Sequence, residues 1–328
     1  MEKKGRIFSG MRPTADRPHL GNYLGALDNW VKLQDEYECF FSIVDLHALT
    51  TGYEDTTALQ KNMRQMAIDW ISAGLDPEKC CIFRQSQVPQ HAELHLLLSM
   101  ITPLSWLERC PTYKEQLRQL ETRDISTYGF LGYPVLMTAD ILLYQATTIP
   151  VGEDQVPHIE LAREIARRFN HFYGETFCVP QAKLTKFAVL PGIDGRKMSK
   201  SYDNYIPMSA SGEEIGAKVK MMITDPQRVR RNDPGNPEVC TVYTFQKLFN
   251  PDMVEEISQG CRDGAVGCKD CKERLGHCLT QFLAPIRSKR EELENTPEVI
   301  DQILAKGAEK AREVAERNLN QIKKAMRL

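Results

Sequence analysis

Four groups of residues have types and spacings that could do chemistry. Lys197-Met198-Ser199-Lys200-Ser201 carries two lysines three positions apart, each beside or close to a hydroxyl. Such lysines can meet the oxygens of a triphosphate as mobile point charges. Phosphoryl and nucleotidyl transfer depend on charge placed where it develops on the leaving group. His19-Leu20-Gly21-Asn22 puts an imidazole at the entrance of a helix, with a glycine that lets a ligand lie against the backbone. Each has a plainer reading on its own: a solvated basic loop for the first, and a loop histidine satisfied by a neighbour for the second. Cys240, Cys261, Cys268 and Cys271 form C-x20-C-x6-C-x2-C, a soft donor set open to Zn²⁺ or an iron–sulfur cluster. Gly260, Gly264 and Gly267 lie among them, which is unlike a buried core. Asp140 is the one charge in the apolar run Tyr133–Tyr144. A lone acid there is costly unless paired, so it either caps a buried hydrogen bond or receives a ligand's donor. Helical spacing puts Tyr133, Met137 and Asp140 on one face, although Tyr133 and Met137 alone read as ordinary core.

Positioning these groups requires a frame, and the order of patterns supplies one. Ile7-Phe8-Ser9-Gly10 reads as the end of a buried strand, Met11 to Pro18 as a loop, and helical periodicity starts near Gly21. Cys39 to Val44 is a continuous apolar run, the pattern of a parallel strand buried on both faces. It ends in Asp45-Leu46-His47, polar groups at a strand's C-terminal end, where open α/β sheets place their sites. Asp55 to Leu75 is predicted helical and Cys81 to Arg84 a strand, followed by a helical region from Ala92 to about Arg109, interrupted by Pro103. Val151-Gly152-Glu153-Asp154-Gln155 is again a strand end with glycine and polar residues, leading into an amphipathic helix from His158 to Phe172. This βαβα order predicts an α/β fold with a Rossmann-type doubly wound parallel sheet. Its helix N-termini would collect anionic ligands.

From about Tyr202 the chain reads as mostly helical, with 3.6-residue periodicity over Glu213–Met222 and from Glu292 onward. The last helix carries Lys306, Lys310, Arg312, Arg317, Lys323, Lys324 and Arg327, most simply a solvated face. The loop Asp225-Pro226-Gln227-Arg228-Val229-Arg230-Arg231 has arginines that could reach phosphate. The expected organisation is a catalytic domain over 1–203 and a mainly α-helical domain over 204–328, whose last helix packs back on the first.

Composition narrows the partners. Formal net charge is −2 over 328 residues, so nucleic-acid contact must come from local patches. No run of about 18 apolar residues occurs, which argues against a membrane span. The opening residues have no signal-type apolar core, and a cytoplasmic, reducing location is expected. There, ten cysteines point more to metal than to disulfides. Cys278 is close enough to compete as a ligand, while Cys39, Cys80, Cys81, Cys110 and Cys178 read as core.

In combination, the KMSKS residues 197–201 and HLGN at 19–22 resemble the paired signatures of class I aminoacyl-tRNA synthetases. The residues between them are similar to the tryptophanyl family: Phe8-Ser9-Gly10, Val44 to His47, Tyr133/Met137/Asp140, and Gly152 to Gln155 running into His158-Ile159-Glu160-Leu161. The resemblance covers most of residues 6–203. It implies ATP-dependent activation of tryptophan to the adenylate, transfer to tRNA(Trp), a homodimer, and Mg²⁺ carried on ATP. His19, Gly21 and Asn22 would hold and polarise the nucleotide. Arg12, Pro13 and Thr14 would line its entrance, Arg12 standing where a neutral Gln is often found. Gly152, Glu153 and Asp154 would lie near ribose and adenine, and Val189 against adenine. Lys114, Lys197 and Lys200 would neutralise pyrophosphate, the last two from the ATP-binding loop Lys197, Met198, Ser199, Lys200 and Ser201. Asp140 would accept the indole N–H, and Tyr133 and Gln155 would orient the amino group. Phe8, Val44, Met137 and Val151 would wall the ring, with His47 close by. The helical part would bind the anticodon. The cysteine pattern resembles that of a tryptophanyl subgroup carrying a [4Fe–4S] cluster, with Zn²⁺ as the alternative. The competing functions are a tyrosine–tRNA ligase, a nucleotidyltransferase sharing the HxGx entrance, and a catalytically silent RNA-binding paralogue.

Overall fold

The computed structural model describes residues 3–13, 18–111, 113–114, 127–184 and 190–328. Five parallel strands make one sheet: β1 (Arg6–Met11), β2 (Glu38–Ile43), β3 (Cys81–Arg84), β4 (Thr148–Val151) and β5 (Gln181–Leu184), in the order β3-β2-β1-β4-β5. β1 lies against β2 from Arg6 opposite Glu38 to Met11 opposite Ile43, and it meets β4 at Ile7 opposite Thr148. The apolar run of β2 is buried from Cys39 through Ile43 because the sheet is covered on both sides. Successive side chains alternate faces. Ile7, Phe41 and Ile82 pack with Trp30 and Trp70 on one side, and Phe8, Phe40 and Phe83 lie in the cluster on the other. The chain runs outward from β1 to β3 and then crosses back to β4. This opens a crevice at the C-terminal ends of β1 and β4, the place where such sheets bind ligands.

Helices fill both faces: α1 (Asp28–Glu36), α2 (Asp45–Gly52), α3 (Leu59–Ser72), α4 (Gln90–Ser99), α5 (Tyr128–Leu143) and α6 (Val156–Tyr173). A short turn, Leu20–Asn22, and a π-helical turn, Tyr23–Leu27, lead into α1. α5 starts at Tyr128, earlier than its apolar run suggests, because the Thr127 hydroxyl accepts from the Phe130 N–H and caps it. Pro134 sits inside this helix, whose packing in the core outweighs the missing hydrogen bond. The expected helical region around Pro103 is two pieces, α4 and the short Leu104–Glu108, with Pro103 extended between them.

The remainder is α7 (Gly212–Met221), α8 (Thr241–Phe249), α9 (Val254–Arg262), α10 (Cys268–Glu294) and α11 (Pro297–Met326). The expected final helix from Glu292 is interrupted at Asn295 and Thr296, and Pro297 begins α11 at a position where its missing N–H costs nothing. α10 is tied to α3 by a buried cluster: the Arg290 guanidinium donates to Asp69 and Gln65, and to Glu294 at 3.0 Å. Apolar residues of α8 and α10 belong to the same core as Trp30 and Phe41. α11 lies along β3, the edge of the sheet. A Cβ on Gly307 would stand 1.9 Å from the Ile82 carbonyl oxygen, so only glycine permits this approach. Basic residues of α11 hold it there: Lys306 to Glu78 at 2.8 Å, Lys323 to Glu93 at 2.7 Å, and Arg312 to the Gln87 carbonyl at 3.0 Å. Cys39, Cys80, Cys81 and Cys110 are core, but Cys178 is exposed, because it lies in the connection from α6 to β5 and not in an element. Among the described residues, no helix is long and apolar enough to cross a membrane.

Candidate active site

A cavity of about 410 Å³ opens at the crevice between β1 and β4. β1 supplies Phe8 and Gly10 and the residue after it is Arg12, the β2–α2 junction supplies Val44 and His47, and α5 supplies Tyr133, Met137 and Asp140. The far wall is Val151, Gly152, Asp154 and Gln155 from the end of β4, with His158 at the start of α6. Gly10 is required here, since a Cβ would come within 2.6 Å of Val44 Cγ1.

At the floor Asp140 is 1% exposed, and three side chains occupy its carboxylate. Gln85 Nε2 donates to Oδ1 and Oδ2 at 2.8 and 2.9 Å, His91 Nδ1 meets Oδ1 at 2.6 Å, and His47 Nε2 meets Oδ2 at 3.0 Å. Burial opposes the charge, but the His91 and His47 imidazoles outweigh it and hold the carboxyl down at about 2. His47 lines the cavity, whereas Gln85 and His91 do not. Oδ2 is therefore the oxygen bonded to a side chain of the cavity wall.

A second chain runs along the other wall. Tyr133 Oη bonds His158 Nε2 at 2.9 Å, His158 Nδ1 bonds Gln155 Oε1 at 2.9 Å, and Gln155 Nε2 donates to Asp154 Oδ2 at 2.8 Å. Burial, and then His47, push His158 down to about 4, so its ring is neutral at pH 7. Tyr133 keeps its proton because burial raises its pKa. The hydroxyl thus donates to Nε2, and His158 donates onward to Gln155.

The HLGN turn is self-capping. His19 N–H donates to Asn22 Oδ1 at 3.1 Å, and Asn22 N–H donates to His19 Nδ1 at 3.3 Å. With Nδ1 an acceptor, the ring hydrogen belongs on Nε2. Burial, with Lys200 adding to it, lowers the His19 pKa to about 4. A Cβ on Gly21 would lie 3.0 Å from the His19 ring and 3.5 Å from Met198 Sδ, so the two signatures are neighbours. The loop around Lys197 is shaped by Asn204, 1% exposed. Its Oδ1 accepts from Ser199 N–H at 2.8 Å, and its Nδ2 donates to Asp194 at 2.7 Å and to the Lys197 carbonyl at 3.1 Å. Lys197 is exposed, Lys200 half-buried and Met198 buried.

Cys240, Cys261, Cys268 and Cys271 line a separate cavity of about 20 Å³. Gln246 Nε2 lies 3.7 Å from Cys271 Sγ and Arg228 Nη1 3.9 Å from Cys261 Sγ, and the Val242 and Tyr243 backbone N–H groups favour a thiolate at Cys240. Burial raises Cys240 and Cys261, and pushes Cys271 to about 11. Among the described residues, however, no three His, Cys, Asp or Glu side chains are drawn into a metal-holding group. The expected cage is thus a shared cavity and not a formed ligand set.

The structure brings together Phe8, Arg12, Val44, His47, Tyr133, Met137, Asp140, Val151, Gly152, Asp154 and Gln155 around the main cavity. Pro13, His19, Gly21, Asn22, Glu153 and the residues 197–200 do not line it. Lys114 stands exposed just past Cys110, also away from that wall. Thr14 and Val189 lie outside the described residues, as does the side chain of Ser201. Sequence reasoning missed Gln85, His91 and Asn204, and assigned no role to His158. Only His158 had a signal, three residues after Gln155 on the first turn of a helix.

The matching family model is that of the class I tRNA synthetases for W and Y, over residues 1–284. Among curated proteins, the tryptophan–tRNA ligase of Thermotoga maritima is 50% identical over 98% of this chain and 99% of its own. That of Aquifex aeolicus is 44% identical over 98% and 100%. Among solved structures, the tryptophanyl-tRNA synthetase of Campylobacter jejuni, complexed with ADP and tryptophan, has a TM-score of 0.90 at 34% identity, covering 98% of this chain and 100% of that one. The chain belongs to the class I aminoacyl-tRNA synthetases for tryptophan and tyrosine. Its activity is that of the tryptophan branch, the ligation of tryptophan to tRNA.

Proposed function

We propose that the cavity over Asp140 binds L-tryptophan and that the HLGN and KMSKS segments bind ATP beside it. One observation carries the reading: an ionised, buried carboxylate at the floor of a cavity walled by Phe8, Val44, Met137 and Val151. The indole N–H takes the place of His47 at Oδ2, while the apolar wall removes ring surface from water. A substrate without that donor leaves a buried charge underpaired, which such sites penalise by about 10⁴-fold. Tyr133 and Gln155 orient the amino group. Glycine at position 152 lets the nucleotide approach the backbone, and Arg12 and Pro13 guard its entrance.

In the first step a tryptophan carboxylate oxygen bonds to the ATP α-phosphorus, and the bond to the β-phosphate oxygen breaks. His19 donates its Nε2 hydrogen to phosphate oxygens. Lys197 and Lys200, with Lys114, meet the charge growing on pyrophosphate; Mg²⁺ enters with ATP. In the second step a hydroxyl of the terminal ribose of tRNA(Trp) attacks the activated carbonyl and AMP leaves.

Residues 1–203 serve activation, and 204–328 meet the anticodon arm, with Arg230 and Arg231 exposed for phosphate. The chain works in the cytoplasm, in keeping with ten free cysteines. It pairs as a homodimer, in keeping with exposed Leu96, Met100, Leu104 and Tyr128. The four thiols fit a [4Fe–4S] cluster, with Zn²⁺ as the alternative, by donor softness, the shared cavity, and N–H donors that balance sulfur charge. Bound there, the group would clip α8, α9 and α10 together. Absence of visible absorbance in anaerobically purified protein, with zinc present, would transfer the site to Zn²⁺.

Amino-acid-dependent ATP–pyrophosphate exchange tests the assignment. Exchange with tryptophan and not tyrosine is expected. Exchange with tyrosine would overturn the role given to Asp140, and exchange with neither would favour a silent RNA-binding protein.

A further inference from the structure

We propose that His91 is a positioning residue for amino-acid selection, with Tyr144 holding its ring in place, so that Asp140 presents Oδ2 to the cavity. The inference rests on reading Asp140 as the acceptor of the indole N–H.

His91 and Tyr144 are 0% exposed, and Asp140 is 1% exposed. Tyr144 follows Asp140 by one helical turn, and His91 reaches both from α4: Nε2 to Tyr144 Oη at 2.9 Å, Nδ1 to Asp140 Oδ1 at 2.6 Å. The tyrosine ring cannot turn away. It stacks on Phe8 and Phe40 at 5.4 and 4.6 Å between centroids, and Phe83 closes the third side at 5.9 Å. Burial raises its pKa well above the usual phenol value, so it keeps its hydrogen. His91 Nε2 is the acceptor at hand, and it can accept only without a hydrogen of its own. The ring hydrogen must then sit on Nδ1, pointing at Oδ1.

The polarity of the chain therefore runs one way, from Tyr144 through His91 to Asp140. With Gln85 also on Oδ1, that oxygen has both lone pairs filled. Oδ2 shares the second Gln85 contact and otherwise holds only the exchangeable His47. Without the Tyr144 hydroxyl the buried Nε2 has lost its partner, and the imidazole loses the contact that fixes its ring against Oδ1. The ring can then shift, and the carboxylate turns with it. The Tyr144 hydroxyl is thus a selectivity element that touches no substrate.

The test compares L-tryptophan with 3-(3-benzothienyl)-L-alanine, which keeps the bicyclic shape but has sulfur in place of N–H, by kcat/KM in pyrophosphate exchange. The wild-type enzyme should prefer tryptophan strongly. In His91→Leu that preference should fall about ten-fold or more, through the KM for tryptophan, with the analogue and the KM for ATP unchanged. His91→Asn, which retains a donor at the Nδ1 position, should restore most of the preference. Tyr144→Phe should lower it in the same direction while keeping the ring packing. If His91→Leu does not fold, the Asn and Phe variants decide. Equal losses for both amino acids, or a Tyr144→Phe enzyme with unchanged preference, would reduce His91 and Tyr144 to packing and overturn the inference. A wild-type enzyme indifferent to the N–H would instead sink the reading of Asp140, a separate result visible before any variant is made.

Discussion

The cavity we assign to the amino acid and the face we assign to the nucleotide solve opposite problems with opposite materials. Around Asp140, three buried side chains from different elements bond the carboxylate, and a fourth, Tyr144, bonds one of them. At the nucleotide face the charges are Lys197, exposed, and Lys200, half-buried, on a loop held by one buried asparagine. Selection between similar rings needs an acceptor that does not relax toward the wrong substrate. Charge transfer to a leaving group needs cations that can follow it. On that reading one site is built from buried, paired groups and the other from exposed charge, and each should fail in its own way when damaged.

The largest effect should come from the fixed side. Asp140→Ala should lower kcat/KM for tryptophan by about 10³-fold or more, read as pyrophosphate exchange, with the KM for ATP retained. Next is Lys200→Ala, expected to reduce kcat for activation by about 10²-fold while equilibrium dialysis shows unchanged tryptophan affinity. A large loss of tryptophan affinity in Lys200→Ala would mean the two regions are not separable. Tyr133→Phe removes one donor from the wall chain and should raise the KM for tryptophan by up to about ten-fold.

The smallest effect is on stability. Folded His19 and His158 titrate near 4, whereas the unfolded chain titrates near about 6.5. As pH falls below about 6.5 the unfolded state takes up protons first. Stability from these two rings is thus complete above that pH and is lost progressively toward 4. The melting temperature should drop between pH 7 and pH 5, and the drop should be shallower in His158→Gln. An identical slope in that variant would remove His158 as a contributor.

The same contrast governs what could be read in advance. Local patterns announce local structure. The unbroken apolar run of β2, the strand–loop–helix around HLGN, and the glycine after β4 each follow from a few adjacent residues, and the sheet follows from their order. The signatures at 19–22 and 197–201 are legible for the same reason. Gln85 and His91 are not, because they meet Asp140 across 55 and 49 positions of sequence, and nothing beside them in the chain marks the meeting. Asn204 lies in a turn that reads as an unremarkable exit from the basic loop, yet it shapes that loop from inside. Pro134 within α5 is a tertiary override of a local rule, and the shared cysteine cavity shows which thiols converge without drawing them into a cage.

The approach of Gly307 to Ile82 has a consequence for how the chain is made. Cys81 and the Gly307 carbonyl that covers it are 226 residues apart. On the ribosome, β3 is synthesised long before the helix that shields its outer edge, and an uncovered edge strand is a template for pairing with other chains. Over most of its synthesis the nascent protein therefore carries a sheet open on one side, and a product stopped before α11 would keep it open.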